Sequence, residues 1–324
     1  MTDRPRTTLR LSADSAGIAA AAAILRQGSL VAFPTETVYG LGADAGSAEA
    51  VAGIYAAKGR PRFNPLIAHV ANLGAALAQG RFGPDALALA RAFWPGPLTL
   101  VVPLAEGCAV SDLARAGLES VALRVPAHPI AQALIAAAGV PIAAPSANRS
   151  GRISPTAAAH VLGDLDGRID AVLDGGPTVV GVESTIVSCL AEPTLLRPGG
   201  VTRDAIEAVL GRPLREPDSD GPTIAPGLLR SHYAPRAAVR LDATVLHPGE
   251  TGLDFGGLFA GQAGMILDLS PRRDLAEAAA NLFTFLRRLD ERLAVGGTIA
   301  VAPIPPRGLG EAIVDRLARA AAER

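Results

Sequence analysis

Residues 12–33 read SADSAGIAAAAAILRQGSLVAF, and a change of pattern inside this stretch decides the fold class. Ser12 to Gln27 is a run of good helix formers with Ser12 or Asp14 as cap and Gly28 as stop, so a helix is predicted there. Leu30 to Phe33 follows the stop at once and has the length and apolar character of a buried strand. Helix, glycine, buried strand is the repeating unit of an α/β sheet. Outward from it the alternation continues: helices are predicted at Ala48 to Ala57, Pro84 to Phe93, Ile130 to Ala138 and Thr202 to Leu210. Strands are predicted at Leu66 to Val70, Leu98 to Val102, Val121 to Val125, Pro141 to Ala144, Ala171 to Leu173 and Ser184 to Val187. The expectation is an α/β domain with a mixed sheet over residues 1–210.

A composition shift follows. Gly211 to Pro235 holds five prolines and three glycines among polar residues, so residues 211–235 are expected to form an extended connector with little core of their own. Strands at Ala238 to Leu241, Met265 to Leu267 and Thr298 to Val301 then alternate with helices at Asp274 to Leu293 and Leu309 to Ala322. That pattern suits a small doubly wound domain over residues 236–324.

The bulk numbers narrow the classes. Thirty basic side chains against 31 acidic ones give a net charge of −1, so no global field advertises nucleic acid. Apolar runs such as Ile18 to Leu25 are too short to span a bilayer, and no cationic start with an apolar stretch follows Met1. A cytoplasmic protein without a membrane segment is expected. Cys108 and Cys189 stand far apart in no metal-like spacing and read as free thiols.

Lys58 is the only lysine, so the other 29 basic residues are arginine. In a chain that accepts arginine wherever a positive charge suffices, a lone lysine points to a site that requires a compact ammonium. It lies in Ala57-Lys58-Gly59-Arg60-Pro61-Arg62-Phe63-Asn64-Pro65, where Arg60 and Arg62 can clamp oxygens in fixed geometry. A surface turn with three solvated cations is the bland alternative.

Other dense clusters occupy predicted loops. Residues 33–42, FPTETVYGLG, put hydroxyls, a carboxylate and two glycines in one loop after a strand. Gly40-Leu41-Gly42 lacks the third glycine of a dinucleotide fingerprint, and the residues around Lys58 lack the glycines of a phosphate-binding P-loop. Residues 145–156, PSANRSGRISPT, offer neutral donors suited to phosphate or carboxylate oxygens, with Pro155 placed to open a helix. Further clusters are Gly175-Gly176-Pro177, residues 181–186, Leu196-Arg197-Pro198-Gly199 and His232-Tyr233-Ala234-Pro235.

Taken together, FPTETVYGLG, AKGRPRFNPLIAHV, FWPGPLTLV, LRVPAHP, PIAAPSANRSG, DGGP, ESTIV, LRPG and HYAP run in order from Phe33 to Pro235. They resemble the threonylcarbamoyl-AMP synthase family, the YrdC-type fold, in its long two-domain form. The resemblance implies a YrdC-like twisted mixed sheet with flanking helices, plus a smaller Rossmann-like α/β C-terminal domain. One departure is visible: Leu228, Leu229, Arg230 and Ser231 stand where the family usually has methionine, lysine, an aromatic and a basic residue.

The implied reaction joins L-threonine with bicarbonate or CO2 and adenylates the product with ATP, releasing pyrophosphate. L-threonylcarbamoyladenylate is the precursor of threonylcarbamoyladenosine at position 37 of tRNA. By the resemblance, Lys58, Arg60, Ser146 and Asn148 form the catalytic tetrad. Lys58 and Ser146 would also contact ATP, together with Arg62, Ser154, Arg197 and Tyr233. Thr35, His69, Arg124, the backbone of Ala144 and Ser184 match threonine-binding positions, with Arg124 suited to a bidentate fork on the carboxylate. His232 and Tyr233 would act as a lid. Mg2+ is expected to arrive with ATP, because no carboxylate cage is visible. A separate tRNA threonylcarbamoyl transferase machinery would use the product, and a weak contact with tRNA is allowed; in the rival reading as a nucleic-acid-binding module, Arg60, Arg62, Arg149 and Arg152 would contact phosphates.

Plainer readings stand beside these. His69 on an apolar strand is by default a core histidine, and His128 and His160 read as surface or capping residues. Glu36 and Glu183 are as suited to pairing with an arginine as to acting as bases. Trp94 reads as a packing residue. Rival functions are an RNA-binding module of the same fold and a carbamoyl-adenylate-forming enzyme acting on carbamoyl phosphate. Near-neutral charge argues against the first, and the absence of acylphosphatase-like and zinc-finger segments against the second.

Overall fold

A computed structural model describes residues 7–61, 64–217, 232–294 and 296–322. The first part comprises β1 (Leu9–Ser12), α1 (Ser15–Arg26), β2 (Val31–Pro34), β3 (Tyr39–Asp44), α2 (Ala48–Lys58), β4 (Ile67–His69), α3 (Leu73–Leu77), α4 (Pro84–Phe93) and β5 (Leu98–Pro103). It continues through α5 (Asp112–Arg115), β6 (Ser120–Arg124), α6 (Pro129–Ala138), β7 (Ile142–Ala143), α7 (Ala158–Leu165), β8 (Ala171–Asp174), β9 (Thr185–Ser188), β10 (Thr194–Arg197) and α8 (Arg203–Leu210). The second part holds β11 (Ala238–Arg240), β12 (Thr251–Asp254), β13 (Ile266–Asp268), α9 (Leu275–Arg292), β14 (Thr298–Val301) and α10 (Leu309–Ala321).

Strand β2 shows how the first sheet is built. Val31 and Phe33 enter a core shared with α1 and α6, whereas Ala32 enters the opposite core, shared with α2, α4, α7 and α8. Successive side chains of a strand point to opposite faces, so an all-apolar strand needs cover on both sides, which these helices supply. Asp14, one of the two caps offered by the sequence, caps α1 by accepting from the Gly17 amide at 2.8 Å. Mixed pairing orders ten strands as β1-β8-β2-β3-β7-β4-β6-β5-β9-β10.

The sequence reading of residues 33–42 as one loop needs correction. β2 and β3 form an antiparallel hairpin, pairing Phe33 with Gly40 and Val31 with Gly42. Glycine in a strand weakens the pattern that identifies one. Packing requires it here: a Cβ on Gly42 would lie 2.8 Å from the Phe33 ring and 3.0 Å from Ile142 Cγ2. Strands β1, β10 and β12 and helices α3, α5 and α7 were also not read from the sequence; each is short.

A four-stranded parallel sheet, ordered β11-β14-β12-β13, carries the second part, with α9 and α10 packed beside it. Amphipathic α9 buries Ala278, Ala279, Leu282, Phe283, Leu286 and Leu289. The core they form does not stop at the second sheet: Val38, Ile153 and Val182 of the first part belong to it. The connector is also less coreless than its composition suggests, because Leu214 is buried in the first core and Tyr233 in the second. The segment Leu228 to Ser231 lies outside the described residues.

Polar contacts complete the seam. Arg203 pairs with Glu311 at 2.7 Å, Thr156 Oγ1 meets Thr284 Oγ1 at 2.9 Å, and Arg287 pairs with Asp164 at 3.0 Å while donating to the Ile153 carbonyl. Gly181 adopts φ +79°, and a Cβ there would lie 2.2 Å from the Ala279 carbonyl oxygen of α9. Gly181→Ala is therefore expected to destabilise the protein by about 1–3 kcal/mol. Gly163→Ala, in mid-helix with open space around it, should be stabilised by about 0.5–1 kcal/mol. Urea unfolding of the two variants checks this; equal midpoints would refute the close seam at Gly181.

Candidate active site

The hairpin turn fixes the first wall of the site. Thr35 Oγ1 donates to the Val38 carbonyl at 2.7 Å and accepts from the amides of Thr37 and Val38, closing a tight turn. Strand β3 then lends its backbone to the loop after β7. Leu41 donates to the Pro145 carbonyl at 2.7 Å, and Ala147 donates to the Tyr39 carbonyl at 2.8 Å. Ser146 is thereby held against the hairpin.

Helix α2 delivers the lysine. It ends on Gly59 in the left-handed conformation, leaving Lys58 as its last helical residue. Lys58 is buried, and its Nζ donates to the main-chain carbonyls of Ser146, at 2.5 Å, and Asn148. The Lys58 carbonyl in turn accepts from the Ser150 amide at 2.9 Å. A rotatable ammonium can serve two converging carbonyls and still turn a proton toward a ligand. Burial, reinforced by the Arg60 guanidinium, lowers the Lys58 pKa well below its ordinary value.

A cavity of about 50 Å³ opens beside this lysine loop. Thr35, Thr37, Val38 and Gly40 of the hairpin line it, with Ile67 and His69 of β4, Arg124 of β6 and Ala144, Pro145 and Ser146 of the β7 loop. Arg60, Glu183, Ser184, Arg197, His232 and Tyr233 complete the wall. Arg124 donates through Nη2 to Glu36 at 2.7 Å and to Thr37 at 3.1 Å, and through Nε to the Gly96 carbonyl at 3.3 Å. Burial alone would raise the Glu36 pKa, but Arg124 outweighs it and holds the carboxyl below its ordinary range. Arg197 forks onto the Ser184 carbonyl at 2.8 and 3.2 Å. Gly199 makes that approach feasible: a Cβ there would lie 2.4 Å from the backbone of residues 183–185.

Several buried polar atoms around the cavity have no hydrogen-bond partner among the described residues: Arg60 Nε, His69 Nδ1, Asn148 Oδ1, His232 Nδ1 and Glu36 Oε2. Buried donors and acceptors are normally satisfied, so their convergence marks a surface shaped for a polar ligand. Both site histidines are neutral. Burial, with Arg124 nearby, takes His69 down to about 3, and burial likewise takes His232 to about 3. Arg60, lowered by burial to about 10, stays charged at neutral pH.

Most residues expected from the sequence meet here. Lys58 donates to the carbonyls of Ser146 and Asn148, and Ser146 lines the cavity together with Arg60, Thr35, His69, Arg124, Ala144, Ser184, Arg197, His232 and Tyr233. Ser154 sits behind the wall, fully buried, donating to Glu183 Oε1. Arg62 lies outside the described residues. Arg124 already holds Glu36, so an incoming carboxylate would share that guanidinium rather than have it alone. His128 occupies the cap position of α6 without a capping bond, whereas the ring of His160 accepts from the Thr156 amide at 3.3 Å. Trp94 packs edge-on to Phe82 and donates to the Leu98 carbonyl. Sequence reasoning missed Thr37, and the partner of Glu183, which is Arg316 from α10 at 2.8 Å.

Known proteins resemble this chain over nearly its whole length. The Sua5_yciO_yrdC family model, described as telomere recombination, matches residues 23–199. A second model, described as the threonylcarbamoyl-AMP synthase C-terminal domain, matches residues 201–322. The threonylcarbamoyl-AMP synthase of Bacillus subtilis is 44% identical over 98% of this chain and 96% of its own. That of Pyrococcus abyssi is 42% identical over 94% of each. The crystal structure of P. abyssi Sua5 complexed with L-threonine superposes with a TM-score of 0.87 at 39% identity, covering 97% of both chains.

The buried histidines make stability depend on pH. His69, His128, His160 and His232 all have pKa values lowered mainly by burial, His160 to about 4. Below the ordinary value of 6.5 the unfolded chain takes up protons that the folded one refuses, so the histidines' contribution is fully present above that pH and lost on acidification. The carboxyls of Glu36 and Glu183, held low by arginines, add their loss only further down. The urea midpoint should therefore fall steadily from about pH 6.5 to 4.5. A midpoint unchanged across that range would contradict the neutral buried histidines.

Proposed function

This chain belongs to the threonylcarbamoyl-AMP synthase family, in the form with a Sua5 C-terminal domain, and on that premise we propose how its site works. The chain is an enzyme that makes L-threonylcarbamoyladenylate, the precursor of the threonylcarbamoyl group at position 37 of tRNA. L-threonine, bicarbonate and ATP give the adenylate, pyrophosphate and water; from CO2, no water is released.

One observation carries the mechanism: buried Arg60, Arg124 and Arg197 line one cavity, with buried Lys58 bonded to Ser146 of its wall, and among the described lining residues Glu183 is the one carboxylate, Glu36 being held by Arg124. Such a surplus of positive charge in a desolvated pocket suits polyanions that must be brought together. In our reading the carbamate formed on the threonine amine attacks the α-phosphate of ATP, and pyrophosphate leaves. No protein nucleophile is required; the site supplies orientation and charge. Lys58, freed from one carbonyl, would follow the phosphates, with Ser146 contributing a neutral donor and Asn148, whose amide donates to the Arg149 and Arg152 carbonyls, ordering the loop and turning its free Oδ1 to the reacting groups. Arg60, Arg62, Ser154, Arg197 and Tyr233 would hold the nucleotide. Thr35, His69, Ala144 and Ser184 would hold threonine, whose carboxylate shares Arg124 with Glu36.

Mg2+ would enter with ATP. Among the described residues no three His, Cys, Asp or Glu side chains cluster, and Glu36 and Glu183 are both paired with arginines. The phosphate oxygens would thus hold the ion, which would supply further charge neutralisation.

A cavity of about 50 Å³ is far smaller than the ~300–1,000 Å³ of typical ligand pockets. His232 and Tyr233 therefore have to move aside to admit ATP and return to exclude water from the carbamate and mixed anhydride. Because the product serves tRNA, we assign the reaction to the cytoplasm; among the described residues no helix is long and apolar enough to cross a membrane. A separate transferase machinery would take the adenylate, and the exposed Arg149 offers a weak contact for tRNA.

Pyrophosphate release by the purified protein should require both L-threonine and bicarbonate and fall at least about a hundredfold in Lys58→Ala. Release independent of threonine would defeat the reading. Tyr233→Ala should consume more ATP per adenylate accumulated, measured by chromatography of the products. A wild-type ratio would remove the lid from the mechanism.

A further inference from the structure

The C-terminal domain reaches the cavity wall from α9 and α10. Arg316, on α10, is completely buried. Its Nε donates to Glu183 Oε2 at 2.8 Å, its Nη2 to the Pro198 carbonyl at 2.9 Å and its Nη1 to Asp315 at 2.5 Å. The flat guanidinium also lies over the Tyr233 ring, 5.1 Å from its centroid. Phe283 of α9 stacks on Tyr233 at 5.7 Å and 24°. Backbone bonds fix the same segment: His232 donates to the Arg319 carbonyl at 3.2 Å, and Ala234 donates to the Gly151 carbonyl at 2.8 Å.

Stability alone gives little reason for this arrangement. A buried ion pair often does no better than an apolar pair of the same shape, because desolvation offsets the attraction. Its position is informative instead. Glu183 is an anion on the wall of a cavity otherwise ringed by cations, and Ser154 and Arg316 take one carboxylate oxygen each. Without Arg316, the nearest remedy for that buried charge is Arg197, whose guanidinium already faces the cavity. Tyr233 has φ 61°, a conformation costing an L-residue about 1–2 kcal/mol, so something must hold it there.

Resting on the synthase reading above, we propose that Arg316 is a positioning residue for the reaction. It holds the Glu183 carboxylate away from the nucleotide-binding arginines and clamps the Tyr233 ring over the cavity. The C-terminal domain thus completes the active site without touching substrate. ATP entry requires Tyr233 to slide from between Phe283 and Arg316, and its return re-forms the clamp.

Two readouts on the full-length protein test this. Hydrogen exchange of the ligand-free protein follows the segment from His232 to Pro235; Arg316→Met should speed it by about tenfold or more while the two domain cores keep their protection. Steady-state pyrophosphate release should show the KM for ATP raised about tenfold with kcat changed less, as for lost ground-state positioning. Adding Glu183→Gln to Arg316→Met should recover most of the KM, because the stray charge is gone; a merely structural role gives no such rescue. Arg316→Lys keeps the charge paired but loses the fork and flat face, so it guards against simple misfolding and should show the exchange effect. Wild-type exchange and KM in a folded Arg316→Met overturn the proposal, as does a KM defect that Glu183→Gln leaves in place. Loss of the native fold in both single variants would make Arg316 a stability residue and overturn it too. If the wild type itself releases no pyrophosphate in response to threonine, the reaction assignment fails while the exchange result still decides the clamp.

Discussion

The architecture depends on keeping four cations dry around one small cavity. Moving an ammonium or guanidinium out of water costs several kcal/mol unless charge and hydrogen bonds replace the solvent. Each cation here has its own replacement: two carbonyls for Lys58, the Pro65 carbonyl for Arg60, Glu36 and Thr37 for Arg124, and Ser184 for Arg197. Those partners come from strands and loops far apart in sequence. The ten-stranded sheet is what brings them to one point.

This constraint accounts for features that otherwise look incidental. The hairpin must pass close to the β7 loop so that its edge can hold Ser146, and small residues allow that approach. The loop before α8 must cross the backbone of Glu183 and Ser184 so that Arg197 can reach its carbonyl, and glycine at 199 allows that one. The lone lysine follows from the same logic. A planar fork cannot readily serve two convergent carbonyls and a mobile ligand in turn, whereas an ammonium at the end of four methylenes can.

Much of this was legible in the sequence, and the gaps have physical causes. Pro84 to Phe93 and Ala48 to Ala57 were read nearly to the residue, because a proline at the first position opens the one and Ser47 and Gly59 bracket the other. The site loops were legible because their chemistry is local and dense. Strand β3 was not, since Gly40 and Gly42 erase the alternation that identifies a strand, and the reason for them lies on other strands. β12 was hidden the same way by Gly252, where a Cβ would lie 2.9 Å from the Phe259 ring. Arg316 could not be found at all. It stands 133 positions from its carboxylate, as one of 29 arginines, and nothing nearby in the chain marks it.

The core beneath α9 and α10 includes Val38, from the hairpin turn, and Ile153, from the loop beyond Asn148. Residues that pack the far domain and residues that shape the cavity are thus members of one cooperative cluster. A change at Leu282 or Phe283 would loosen the turn carrying Thr35 and Thr37 as well as its own helix. Inactivating substitutions should therefore be scattered through the hydrophobic interior of the C-terminal domain, and a genetic screen would recover many of them far from any substrate. For the same reason the domain cannot be exchanged as an independent module: a replacement would have to supply apolar partners for three side chains belonging to the catalytic half.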